Sequence, residues 1–155
     1  MIAEVEQMTN AIEQQFMKVI VFQLADKEYA IPVSHVQGIE KLMHITRVPK
    51  TPYFVKGVIN LRGVVTPIID LRERFGLTVS ENEETTRIII VTLENMEVGF
   101  VVDSANDVLD IPVDTIEQQP EVVGSFEEEF ISGVAKIDNR LLILLHLDKI
   151  LVPLD

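Results

Sequence analysis

The chain has 155 residues, 47% of them hydrophobic, and carries 25 acidic against 13 basic side chains for a formal net charge of −12. That apolar fraction is enough for a sizeable core, while so acidic a surface repels phosphate backbones and anionic membranes and makes nucleic acid a poor partner. With no cysteine, disulfides, thiolate metal sites and a cysteine nucleophile are excluded.

From the N-terminus, Met1-Ile2-Ala3-Glu4-Val5-Glu6 is acidic and lacks the basic start of a signal peptide. The longest apolar runs, such as Leu141 to Leu145, are too short to span a bilayer. A cytoplasmic protein with no membrane insertion is expected. Residues 1–16 read as a tail in which Val5, Met8, Ile12 and Phe16 recur at helical spacing. That spacing suits a docked amphipathic helix as well as a frayed end.

The rest of the chain is patterned in short, strand-like runs. Lys18 to Leu24 is β-branched and apolar, Ala25-Asp26-Lys27-Glu28 is a turn, and Tyr29 to Val33 returns. Arg87 to Leu93, Glu94-Asn95-Met96-Glu97 and Val98 to Val102 repeat that hairpin. A strand pair follows each: Val55 to Leu61 with Val64 to Ile69, and Ile131 to Ile137 with Leu141 to Leu145. Each pair ends in a short helix signal. Asp70 is placed to cap Leu71 to Phe75, Glu73 to complete a capping box, and Gly76 to stop the helix. His146 to Leu151, before Pro153, is the weaker counterpart.

The strand pairs align without gaps at an offset of 76, matching Phe54 with Phe130, Gly57 with Gly133 and Leu71 with Leu147. The hairpins align at an offset of 69, matching Leu24 with Leu93. The chain therefore reads as a pseudo-repeat: a first half at 17–78, a polar linker at 79–85 and a second half at 86–155. A half of this size is marginal alone, so the two are expected to share a core. Small β-barrels suit them because closure removes exposed edges. Gly57 and Gly133 are expected at bulges or close backbone approaches, and Phe54 and Phe130 as core plugs.

Sites for chemistry are sparse. His35, His44 and His146 form no metal-ligand pair. No nucleophile elbow, Walker loop or dinucleotide fingerprint appears. Glu127-Glu128-Glu129 reads as a solvated loop. Aromatic residues are 6% and tryptophan is absent, which is thin for a nucleic-acid stacking platform. A binding protein is expected and an enzyme is not.

The stretch Gly57-Val58-Ile59-Asn60-Leu61-Arg62-Gly63-Val64-Val65-Thr66-Pro67-Ile68-Ile69-Asp70-Leu71-Arg72 strongly resembles the CheW family of chemotaxis coupling proteins. Val98 to Asp103 with Val108-Leu109, Ile131 to Val134, and Arg140 to Leu145 support the match, which covers about residues 17–152. The resemblance implies an all-β fold of two SH3-like or OB-like five-stranded barrels on one hydrophobic core, with strands open to exchange between halves. It implies an adaptor joining chemoreceptor cytoplasmic tips to the regulatory domain of the histidine kinase CheA. No cofactor and no catalysis are implied, and an isolated monomer that enters larger arrays is expected. A CheW-like module of a CheV- or CheA-type protein, or a general interaction barrel, stays open as an alternative.

Within that frame, Asn60, Arg62 and Gly63 form a candidate protein-binding turn. Gly63 has a plain turn role available, whereas no turn requires arginine and its planar fork suits a carboxylate. The family usually has an acid at the position of Gly38. Glu40, two residues on and facing the same side of an extended segment, is the expected partner of Arg62. Val36, Ile39, Val65, Val102 and Val108 are candidates for an apolar receptor groove where the halves meet, each with plain core as the simpler role. Val36 and Val108 match the family's receptor-facing positions.

Overall fold

The computed structural model describes residues 15–78, 84–118 and 129–150. In chain order the strands are β1 (Phe16–Leu24), β2 (Lys27–Pro32), β3 (Val36–Lys41), β4 (Val55–Leu61), β5 (Val64–Asp70), β6 (Arg87–Leu93), β7 (Met96–Val102), β8 (Ser104–Pro112), β9 (Ile116–Gln118), β10 (Ile131–Ile137) and β11 (Arg140–Leu145). One-turn helices α1 (Leu71–Arg74) and α2 (Leu147–Ile150) follow β5 and β11, and 3-10 turns at Val33–His35 and Val113–Thr115 precede β3 and β9.

Both hairpin turns are shorter than the four residues expected. Ala25 takes φ 57°, and Glu94 and Asn95 take 48° and 67°, so the chain reverses in two residues. Lys27-Glu28 and Met96-Glu97 then join the returning strands. Of the helically spaced N-terminal residues, Phe16 opens β1; the others lie outside the described residues, as does most of the polar linker.

The strands form a six-stranded sheet in the order β8-β1-β2-β11-β10-β9 and a five-stranded sheet in the order β3-β6-β7-β5-β4. The sixth strand is a departure from the expected five. It is β9, beside β10, where the five-stranded sheet has only the Thr46–Val58 bridge. Strand β8 lies beside β1 as β3 lies beside β6, and its Leu109 and Ile111 pack inward while Val108 and Asp110 stay exposed. The sheets do not follow the order of the repeat. Hairpin β1-β2 joins strands of the second copy through a parallel pairing of β2 with β11. Hairpin β6-β7 joins strands of the first copy through a parallel pairing of β7 with β5. In each sheet the two edge strands are consecutive in the chain, so the intervening segment spans the sheet's open seam.

Residues of the central strands alternate between two apolar environments. On β1, Val19 and Val21 pack inside the six-stranded sheet, while Ile20, Phe22 and Leu24 face a core shared by both sheets. On β6, Ile88 and Ile90 pack inside the five-stranded sheet, while Ile89, Val91 and Leu93 enter the shared core. Burial on both faces accounts for continuous apolar runs such as Val19 to Phe22 and Ile88 to Val91.

The repeat survives at atomic detail. The Asp70 N–H donates to the Phe54 carbonyl at 2.9 Å, and the His146 N–H to the matching Phe130 carbonyl at 2.8 Å. Register slips at Val55/Gly57 in one copy and Ile131/Gly133 in the other. A Cβ on Gly57 would lie 2.1 Å from the Thr46 carbonyl oxygen, and one on Gly133 2.7 Å from that of Glu117. Both glycines admit a crossing backbone beside a bulge. The expected capping box forms only in part. The Asp70 carboxylate accepts the Glu73 N–H at 3.3 Å, but the Glu73 carboxylate turns instead to Lys56, 2.8 Å away.

Candidate protein-binding face

The tip between β4 and β5 is a two-residue turn. Arg62 and Gly63 take φ 53° and 83°, the left-handed pair of a type I′ hairpin. Leu61 pairs with Val64 across it. The Asn60 Oδ1 accepts the Gly63 N–H at 2.9 Å and fixes the turn. A Cβ at Gly63 would meet open space, so its backbone conformation and not crowding selects glycine.

Arg62 leaves the turn with 79% of its side chain exposed, and its Nη2 lies 3.4 Å from Glu40 Oε1. Glu40 is on β3, one edge of the five-stranded sheet, and Arg62 closes β4, the other edge. The pair therefore spans the seam. Farther along the same seam, Thr46 and Val58 exchange two backbone hydrogen bonds of 2.9 and 2.8 Å.

The expected residues divide into three groups. Ile39, Glu40, Asn60, Arg62, Gly63 and Val65 all sit on the five-stranded sheet, with Val65 64% exposed. Val108 is 57% exposed but on β8 of the other sheet. Val36, half-buried, packs on the shared core at the start of β3. The turn before β3 and strand β8 both approach β6, which puts the bearers of Val36 and Val108 at the junction of the sheets. Val102 is a correction. It is 1% exposed and part of the shared core, because the shared-core side of β7 is covered, and it has no surface to offer a partner.

Val64 belongs to the same exposed tip and was not among the expected residues. The signal was its position directly after Gly63, where a hairpin end uncovers both faces of the strand. Among the described residues, no group of three or more His, Asp or Glu side chains is placed to hold a metal ion. No described helix is long and apolar enough to cross a membrane.

Buried charge lies away from this face. Burial pushes the Asp103 carboxyl up, but hydrogen bonds from the Arg72 guanidinium and the Ala25 N–H, with the Arg72 charge, outweigh it and hold the group below its ordinary range. Arg72 grips it with two prongs, Nε–Oδ1 at 2.8 Å and Nη2–Oδ2 at 2.5 Å. Burial raises Asp70, against the Glu73 N–H and the Lys56 charge. Both contacts tie strands and helix α1 together.

A family model described as the CheW-like domain matches residues 18–153. Chemotaxis protein CheW of Bacillus subtilis (strain 168) is 46% identical over 134 residues, covering 86% of each chain. Chemotaxis protein CheW of Klebsiella aerogenes is 37% identical over 142 residues, covering 92% of this chain and 84% of that one. Among solved structures, the scaffolding protein TtCheW from Thermoanaerobacter tengcongensis superposes with a TM-score of 0.80 at 36% identity, over 85% of this chain and 90% of that one.

Proposed function

The chain belongs to the CheW family, and on that premise we propose that it is a cytoplasmic chemotaxis adaptor joining the cytoplasmic tip of a chemoreceptor to the regulatory domain of the histidine kinase CheA. The observation that carries a binding role for the β4–β5 tip is the conformation of Arg62. A non-glycine residue held left-handed costs about 1 kcal/mol or more. An exposed ion pair contributes about 0–1 kcal/mol. Glycine or asparagine would serve the turn better, so stability does not account for an arginine there. Recognition of a partner does, and the uncovered Ile39, Val64 and Val65 around it supply apolar contact.

An adaptor needs at least two faces. The Arg62 tip lies on the five-stranded sheet and Val108 on the six-stranded sheet. Both sheets pack on one core, which carries the two faces together. Contacts too small for a stable pair alone gain strength in an array through effective concentration. The reading includes no catalysis and no cofactor.

The test is a titration of the full chain with a receptor-tip fragment, with the kinase regulatory domain, and with both together. Binding of each, and a ternary complex, are expected. Binding to neither at roughly tens of micromolar, near 6–7 kcal/mol of affinity, would leave a general interaction barrel as the better reading.

A further inference from the structure

Residues 41–69 hold five of the 13 Lys and Arg side chains and none of the 25 acids. In a chain of net charge −12, a segment this long without an acid is a local inversion of sign. Its first part is the seam-spanning segment from the end of β3 to the start of β4. That segment is anchored: Leu42, Met43 and Ile45 pack on the core of the five-stranded sheet, and Thr46 is bonded to Val58. The stretch that follows is pushed outward, with Arg47, Val48, Pro49 and Lys50 all exposed. Lys50 sits at φ 63°, a strained conformation of the kind that gathers at functional sites.

The segment frames a shallow depression lined by Arg47, Lys50, Tyr53 and Lys56, among others. Tyr53 is 54% exposed, yet its ring is set edge-on against the buried Phe54, centroids 5.4 Å apart. The acid in the lining, Glu73, is taken by Lys56 at 2.8 Å. Among the described residues, neither Arg47 nor Lys50 has an acid within ion-pair distance. Two uncompensated cations beside a fixed aromatic ring and exposed valine and proline have the composition of a protein interface. The net charge of the whole chain acts against a nucleic-acid backbone.

We propose that this depression docks a carboxylate-rich segment of a partner protein, with Arg47 and Lys50 pairing its acids and Tyr53 covering an apolar residue between them. This surface is separate from the Arg62 tip and is not needed for the coupling reading. The charges steer encounter, select the partner and supply the ion pairs on which its affinity depends. Binding should weaken between about 0.1 and 1 M salt, as the screening length falls from about 10 to 3 Å.

The experiment is an amide-resolved NMR titration of the full chain with a synthetic peptide of repeated Glu-Glu-Leu triplets. The controls are the same peptide with Gln for Glu, inorganic phosphate and an oligouridylate. The proposal expects shifts confined to residues 46–56 with the Glu peptide, and loss of about tenfold or more in affinity for R47E/K50E and for R47A/K50A. Thermal melts matching wild type exclude misfolding, since both side chains are exposed. No shift with the Glu peptide, shifts elsewhere, equal binding of the Gln peptide, or stronger binding of phosphate or oligouridylate would overturn it. The receptor tip and kinase domain are titrated in parallel. If wild type binds neither, the coupling reading fails while the peptide result still decides this one.

Discussion

Arg74 and Ile150 hold matching places in the repeat, and the guanidinium of the first donates from Nε to the carbonyl of the second at 2.9 Å. The same guanidinium lies over the rings of Phe54 and Phe130, 4.2 and 4.6 Å from their centroids. Those phenylalanines are themselves repeat partners. The two copies thus meet around one buried cation, which α1 supplies and for which α2 has only an isoleucine.

Replacing Arg74 by alanine removes two ring contacts and leaves the Ile150 and Lys149 carbonyls without their donor. A loss of about 3 kcal/mol or more is expected. Phe54→Ala or Phe130→Ala should cost about 3–5 kcal/mol, as other large-to-small core changes do. Urea unfolding monitored by circular dichroism measures all three. A loss under 1 kcal/mol for Arg74→Ala would mean that the cation is not what joins the copies.

Gly57→Ala should be far more damaging than Gly63→Ala. The first places a methyl 2.1 Å from the Thr46 carbonyl oxygen at φ 147°, and the second places it in open space at φ 83°. Gly63→Ala should fold and lose about 1 kcal/mol. Gly57→Ala should also break the Thr46–Val58 bonds, visible as faster amide exchange at those two residues. Equal stability of the two variants would contradict the close crossing.

The depressed Asp103 carboxyl makes stability pH-dependent with a defined sign. A folded-state value below the unfolded one means that the contribution is complete above the unfolded range. It is lost as pH falls below the usual carboxylate range of about 4 toward the folded value. Asp103→Asn should lower stability at neutral pH and flatten the acid limb of the stability profile. A variant whose acid limb matched wild type would show that the Arg72 clamp does not shift the group.

Val102 and Val108 separate packing from recognition. Val102→Ala should cost about 2 kcal/mol through its core cavity and lower the melting temperature. Val108→Ser should leave the melting temperature nearly unchanged and weaken binding to the receptor tip. Unchanged receptor binding by Val108→Ser would remove β8 from the proposed contact.

Much of the fold was legible because its causes are local. Short apolar, β-branched runs marked both hairpins and both strand pairs, Asp70 and Gly76 bounded α1, and the alignment of Gly57 with Gly133 foretold paired bulges. The Glu40–Arg62 contact was legible too, since two-residue spacing puts Glu40 on the side that Gly38 faces. The triplets Ile31-Pro32-Val33 and Ile111-Pro112-Val113 each lead into a 3-10 turn, a second mark of the repeat. Strand β8 was harder to see, because the exposed Asp107 and Asp110 interrupt its apolar pattern and its pairing to β1 joins residues far apart in the chain.

The sequence by itself determined the two hairpins and the two strand pairs and that they form a repeat, since short apolar runs, turn residues and capping act within a few residues. Only the tertiary structure decided that each hairpin completes the other copy's sheet, through the parallel pairings of β2 with β11 and β5 with β7. The same step buried Val102 and left Val108 in solvent. Two valines in similar strands are chemically identical, and their exposure depends on which distant strand comes to lie over them.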